Sequence, residues 1–391
     1  MTEGSEHDMA NLLKANSVAI VIVGTLIGGQ SLGVQDSRQA VPRNLYFPPR
    51  QGLWEHIEPS AAGWDSKKLE AALDFAGQRR SSGVVVLYRG RILIERYWDL
   101  EPKPKLPNGQ SNRYYYTVHG KTSQGHVIED VASVQKSVVS MLAGIAQHKG
   151  LLKVSDPVQK YLGEGWSKAA RDAEAKITLR HLLTMTSGLT DALEYEAPAG
   201  TRWRYNTTAY SRVLRIISVA AQMEPDELTR LWLTSPIGMD DSHWIVRPRM
   251  SDSEAANTVG FATTARDLAR FGLLILAQGT WANHVVIDEK EYLRAALQSS
   301  QDLNPSYGYL WWLNGKPSVL RGSGERRLPG PLIPTAPADL VAAEGAMGRK
   351  LYVVPSKELV VTRLGATPEG ANQASFEVEF WKRLMAAAAT H

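Results

Sequence analysis

The alternation of apolar and polar positions divides the chain into elements before any motif is considered. Residues 65–80 carry apolar side chains at Leu69, Ala72, Leu73, Phe75 and Ala76, near the 3.6-residue period of a helix. Residues 83–88 are β-rich, Arg89-Gly90 supplies a short turn, and 91–97 are β-rich again, which predicts a hairpin. Residues 133–149 place Val134, Val138, Met141, Leu142 and Ile145 on a helical stripe, with Gly150 just past the end as a stop. From 151 to about 250 helical patterns dominate, 179–184 and 210–223 among them. A second hairpin is predicted from 350–355 and 358–363, then a helix from about 375 to 387. Strands near both ends with helices between them predict an α+β fold. Its antiparallel sheet, flanked by helices, is built by the two chain ends, with a mainly helical region of about 151–260 inserted in the middle.

Residues 18–29 form the most lipophilic run, and their length suits the core of an export signal better than the ~20 apolar residues of a full membrane span. Glu3, Glu6 and Asp8 precede it with only Lys14, where a signal wants net positive charge, while Ser31-Leu-Gly33 fits a small-x-small cleavage site. Residues 1–40 are therefore read as a targeting or anchor segment with its linker, and 41–391 as the body of an exported, periplasmic or membrane-anchored protein. A cytoplasmic tail, a misassigned start codon and a buried segment are the alternatives. Two polar insertions, about 101–127 and 317–340, are expected to border a cleft and set specificity; the plainer reading is a pair of surface loops.

Composition narrows the chemistry. With 391 residues and 43% hydrophobic content the chain can bury a large core, so disorder is excluded. Lys+Arg 44 against Asp+Glu 40 leaves +4, and the doublets Arg79-Arg80 and Arg326-Arg327 are too short to track a phosphate backbone, so nucleic acid is not a partner. The absence of Cys removes thiol nucleophiles, disulfides, iron–sulfur clusters and Cys-ligated zinc. The nine His never form HExxH or a close pair, so no metal and no other cofactor is implied. Chemistry is left to Ser, Lys, Tyr or carboxylates.

Ser133-Val-Gln-Lys136 is the one SxxK in the chain, at the start of a predicted helix. The spacing puts both side chains on one face a turn apart, and the helix N-terminus favours a developing alkoxide. A serine hydroxyl is a weak nucleophile until something takes its proton, which a lysine deprotonated by burial can do. The spacing alone is common: roughly one such match is expected by chance in a chain of this length. The bland alternative is a helix cap followed by a surface lysine.

The surrounding residues 130–137 resemble the nucleophile segment of the serine β-lactamase-like, penicillin-recognising hydrolases, which include class C β-lactamases, D-alanyl-D-alanine peptidases, family VIII esterases and 6-aminohexanoate-dimer hydrolase. Residues 177–189, 199–205, 260–272 and 307–312 resemble further segments of that family in the same order, so the likeness covers roughly 52–385. It implies a β-lactamase/transpeptidase-like fold, with Ser133 as nucleophile, Lys136 as its activating partner and Tyr205 as base and later proton donor. A phenol serves as a base only if adjacent positive charge such as Lys136 lowers its pKa. The family's third motif aligns with Ala343-Glu344-Gly345, so the N–H groups of Ser133 and Ala346 are expected to form an oxyanion hole.

Two departures bear on substrate. Where the family has YxN, this chain has Tyr205-Asn206-Thr207, so a substrate carbonyl is expected to meet Asn206 or Thr207. The third motif carries Glu344 instead of a cation, so Glu344 and Gly345 should shape a subsite that repels a substrate carboxylate, with Arg349 nearby. That favours a small-molecule ester or small amide cleaved through an acyl-enzyme. A β-lactamase or D-alanyl peptidase is the alternative within the enzymes, and a non-hydrolysing penicillin-binding receptor or pseudoenzyme the alternative outside them. Trp203 is expected to line the pocket, and His181 to be a hydrogen-bonded core residue.

Overall fold

The computed structural model describes residues 44–100, 112–247, 258–322, 324, 326–368 and 373–388. The apolar run 18–29, with the expected targeting segment, lies outside the described residues, as does the stretch 101–111 of the first insertion.

Asp65 accepts a hydrogen bond from the Lys68 N–H at 3.1 Å and so starts helix α1 (Ser66–Gln78), which buries Leu69, Ala72, Leu73 and Ala76. Strands β1 (Ser81–Tyr88) and β2 (Arg91–Tyr97) turn on Arg89-Gly90 as the sequence predicts. Gly90 sits at φ +83°, and a Cβ there would fall 1.9 Å from the Tyr46 carbonyl oxygen, so only glycine fits the turn.

A second, smaller sheet follows. It pairs β3 (Val118–Lys121), β4 (Val127–Asp130), β5 (His243–Val246) and β6 (Val259–Thr263) in the order β3-β4-β6-β5. Ala262 of β6 faces both Asp130 of β4 and His243 of β5, so β4 and β5 run the same way and leave the sheet at the same end. From β4 the chain passes through a 3₁₀ turn (Ala132–Val134) into helix α2 (Gln135–His148). Every α2 residue from Gln135 to Ala146 is buried, polar ones included, which makes this the central helix of the molecule.

The middle of the chain supplies helices, chiefly α3 (Thr207–Ala221) and α4 (Ala265–Leu276). The second half then returns as β7 (Trp312–Leu313), β8 (Val341–Gly345), β9 (Arg349–Val354), β10 (Leu359–Gly365) and helix α5 (Gln373–Ala387). These strands join the first hairpin in one six-stranded antiparallel sheet, order β2-β1-β10-β9-β8-β7, with Val85 opposite Thr362 at the seam. Every residue of β8, β9 and β10 is buried, so both faces are covered. Helix α4 packs against β10, β9 and β1, and α1 packs along α5. Among the described residues no helix is long and apolar enough to cross a membrane.

Candidate active site

Ser133 lies in the turn between β4 and α2, half-buried, just after a strained residue: Ala132 has φ +51°, a conformation an L-residue adopts at a cost. The strain is held by neighbours. Asp130 Oδ1 accepts from the Ala132 N–H at 2.9 Å, and the Val131 N–H donates to the Phe261 carbonyl of β6 at 2.9 Å. One turn on, Lys136 Nζ lies 3.0 Å from Ser133 Oγ, a hydrogen bond.

Lys136 is 1% exposed, and its amine sits over the rings of Tyr210 at 4.5 Å and Tyr205 at 5.0 Å. Burial, and secondarily the charge of Arg247, lowers its pKa to about 7. At neutral pH a large share of the side chain is therefore a neutral amine able to accept a proton.

Tyr205 converges on the same oxygen. The Ser133 hydroxyl is near enough to its phenol to lower the phenol's pKa. Its backbone N–H donates to the Gly322 carbonyl at 2.9 Å, and its ring stacks on Trp312 at 5.9 Å and 20°. Here the structure corrects the sequence reading. Burial pushes the phenol up rather than down, the nearby Ser133 hydroxyl and the charge of Arg321 offset only part of that, and the charge of Glu344 adds to the rise. Tyr205 therefore stays a phenol, suited to giving a proton, and Lys136 is the group suited to taking one.

Gly345, at the end of β8, comes so close to the nucleophile turn that a Cβ would fall 2.3 Å from the Val131 carbonyl oxygen. Ala346 follows directly and opens a 3₁₀ turn, one residue past this close approach to the turn that carries Ser133. Gly345→Ala is expected to force the two apart and, at a cost of about 10²-fold per ångström of misplacement, to lower kcat/KM on an ester by roughly that factor. Circular dichroism should remain that of the native protein; unchanged turnover would remove Ala346 from any oxyanion-binding role.

Asn206 is not a substrate residue. Its Oδ1 accepts from the Ala209 N–H at 2.8 Å as the N-cap of α3, and its Nδ2 donates to the carbonyls of Leu189 and Thr190, each at 2.9 Å. It is 1% exposed, with both amide protons and one acceptor site of its oxygen taken. Thr207 is half-buried at the first position of α3.

Glu344 also departs from expectation. Arg321 donates to it at 2.7 Å and Lys350 lies 3.2 Å away, itself 2.6 Å from Glu377 of α5. Burial alone would raise its pKa, but Arg321 and Lys350 overcome this and hold the carboxyl well below the usual carboxylate range. Two cations thus flank Glu344, so it does not meet a substrate as a bare anion. The group that faces outward is Arg321, whose guanidinium lies 4.9 Å above the Trp312 ring and stays partly exposed. Arg349 does not serve the site either: it is fully buried against Glu129, at 3.1 Å, and Thr117. Trp203 packs behind Tyr205, against Tyr307 at 5.5 Å and Trp312 at 6.1 Å, rather than lining a surface. His181 closes the N-terminal turn of its short helix by accepting from the Thr178 N–H, but it is half-buried, at the margin of the core and not inside it.

Arg321, Trp312, Tyr210 and Arg247 are neighbours that sequence reasoning did not find. Trp312 had the best signal, falling inside the 307–312 segment, while Arg321 lay in the insertion 317–340, which was expected to border a cleft without any of its residues being singled out. Among the described residues no group of His, Asp or Glu is placed to hold a metal ion. A cavity of about 430 Å³ lined by Gln147, Arg180 and Tyr292 opens at the far end of α2, and none of the three converging residues lines it.

With this geometry in place, comparison with known proteins is decisive on lineage. The sequence profile of the family described as Beta-lactamase matches residues 66–377. The chain belongs to the beta-lactamase family. A relative from Alkalihalophilus pseudofirmus, described as an uncharacterized protein, is 24% identical over 332 residues, covering 78% of this chain and 89% of its own. A "putative beta-lactamase" of Bacteroides dorei superposes with a TM-score of 0.61 at 18% identity, covering 83% of this chain and 99% of its own. A "putative 6-aminohexanoate-dimer hydrolase" of Bacillus anthracis gives 0.59 at 16%, covering 88% and 90%. The fold of this beta-lactamase-family protein is thus the β-lactamase/transpeptidase-like one, with the antiparallel sheet and intervening helices that the sequence resemblance implies.

Proposed function

We propose that this protein is a serine hydrolase that cleaves an ester or a small amide through an acyl-enzyme. The observation that carries the reading is the 3.0 Å contact between Lys136 Nζ and Ser133 Oγ, in a setting that favours the neutral amine. Ser133 Oγ attacks the substrate carbonyl carbon while its proton passes to Lys136 Nζ. The N–H groups of Ser133 and Ala346 hold the oxyanion. The tetrahedral intermediate then collapses: the bond to the leaving oxygen or nitrogen breaks, and that atom takes the phenolic proton of Tyr205, which Lys136 resupplies. Water attacks the acyl carbonyl with the same proton path reversed, freeing the acid and restoring Ser133. Tyr205→Phe should lower kcat/KM at least ~10²-fold, the lower end for a lost acid–base group, with little change in KM.

Arg321 supports a second reading. A cation beside Trp312 and Tyr205 suits a substrate that carries a carboxylate, as β-lactams and peptidoglycan stem peptides do. A panel of p-nitrophenyl esters, anilides and nitrocefin separates the two. Steady ester turnover with slow nitrocefin opening is expected; fast nitrocefin opening would favour a β-lactamase, and a single burst without turnover a receptor.

A further inference from the structure

The nucleophile turn is held by a side chain from the far edge of the smaller sheet. Because β4 and β5 run the same way, and β5 continues past the level at which the chain leaves β4, Arg247 follows β5 to arrive beside the Ser133 turn. Its Nη2 donates to Asp130 Oδ1 at 2.8 Å and to Gln135 Oε1 at 3.1 Å, and its Nε donates to Asp130 Oδ2. Asp130 in turn anchors the strained Ala132 N–H, and Gln135 lies between Ser133 and Lys136 while its amide donates to the Val259 carbonyl at 3.1 Å. The backbone of Arg247 is fixed as well, its N–H donating to Thr258 O at 2.7 Å. The guanidinium is 15% exposed and its carboxylate partner 7%.

Resting on the hydrolase reading above, we propose that Arg247 is a positioning residue: its forked bond to Asp130 and its bond to Gln135 fix the Ser133 turn and set a second cation in the field of Lys136. A turn with positive φ relaxes unless its neighbours over-determine it, and this fork closes the loop around it. A cation near a buried amine disfavours its protonation, which agrees with the direction in which Arg247 moves Lys136. The other groups facing Lys136 are the Ser133 hydroxyl on its own turn, Tyr205 before α3 and Tyr210 on it. Glu344 at the end of β8 is already tied to Arg321 and Lys350. Arg247 is thus the charged group whose loss should move the titration.

Two variants separate charge from geometry. Arg247→Lys keeps the cation but not the fork, so the plateau of kcat/KM should fall about 10-fold or more while its acid limb stays in place. Arg247→Gln loses both, so the plateau falls and the acid limb moves to higher pH. The titration of Lys136 is read separately from the ¹³Cε signal of labelled lysine, assigned with Lys136→Arg, and should move up in Arg247→Gln alone. If Arg247→Gln fails to fold because Asp130 is left buried without its cation, the double variant Asp130→Asn/Arg247→Gln removes the anion with the cation, so it should show the fallen plateau with the Lys136 titration close to its wild-type place. An unmoved Lys136 titration and acid limb in folded Arg247→Gln, or a wild-type plateau in the double variant, would overturn the inference. A wild-type protein with no Ser133-dependent turnover would instead overturn the hydrolase reading, and the lysine signal would still decide the role of Arg247.

Discussion

Replacing Ser133 with Ala is expected to lower ester hydrolysis by at least ~10⁴-fold and to end capture of a fluorophosphonate probe, the scale seen when a nucleophile is lost and only binding and the oxyanion site remain. The side chain is half-buried, and its oxygen meets Lys136 and Tyr205, so removing it deletes the reacting atom and little packing. Thermal unfolding should therefore stay close to that of the wild type. Intact-protein mass after probe treatment and steady-state kinetics check both parts. Wild-type turnover in Ser133→Ala would place the chemistry elsewhere.

Lys136→Met should be nearly as damaging to the rate, about 10²–10⁴-fold, while making the fold more stable at neutral pH. The two effects share one cause. A lysine titrates near 10.4 in the unfolded chain but near 7 here, so between those values the unfolded state binds more protons than the native one. Wild-type stability from this group is therefore at its lowest below about pH 7, where the ammonium stays buried, and rises with pH until about 10.5. The methionine variant should lack that rise and melt higher at pH 6–7. The same titration fixes the wild-type rate profile: kcat/KM should climb through about pH 7 as the amine loses its proton. A flat profile from pH 5 to 9, or a destabilised Lys136→Met, would remove the neutral amine from the mechanism.

Much of this was legible in the chain. The two hairpins, the helix after Ser133 and the final helix follow from local periodicity and turn residues, and both chain ends do build one sheet. The Ser133–Lys136 contact was legible too, because a three-residue spacing on a helix is a local fact. What was hidden depends on partners far away in sequence. Asn206 reads as a ligand until the carbonyls of Leu189 and Thr190 take both its amide protons. Glu344 reads as a repelling anion until Arg321 and Lys350 flank it. The phenol of Tyr205 was expected to titrate low beside a cation, but the burial that turns Lys136 into a neutral amine also raises Tyr205. Periodicity carries no information on which charges will meet, so pairings of this kind emerge only from the folded chain.

Because β1 pairs with β10, a ribosome completes the segment bearing Ser133 long before the sheet behind it can close; Arg363 bonds the Arg79 carbonyl from 284 positions away. A nascent chain that ends before Val341 has Lys136 but neither Gly345 nor any partner for the open edge of β1. The proposed site should therefore be incomplete as the chain emerges and be assembled only near release. Nonsense truncations ahead of Leu359 should yield insoluble or proteolysed fragments rather than partly active ones, since an unpaired strand edge recruits other chains.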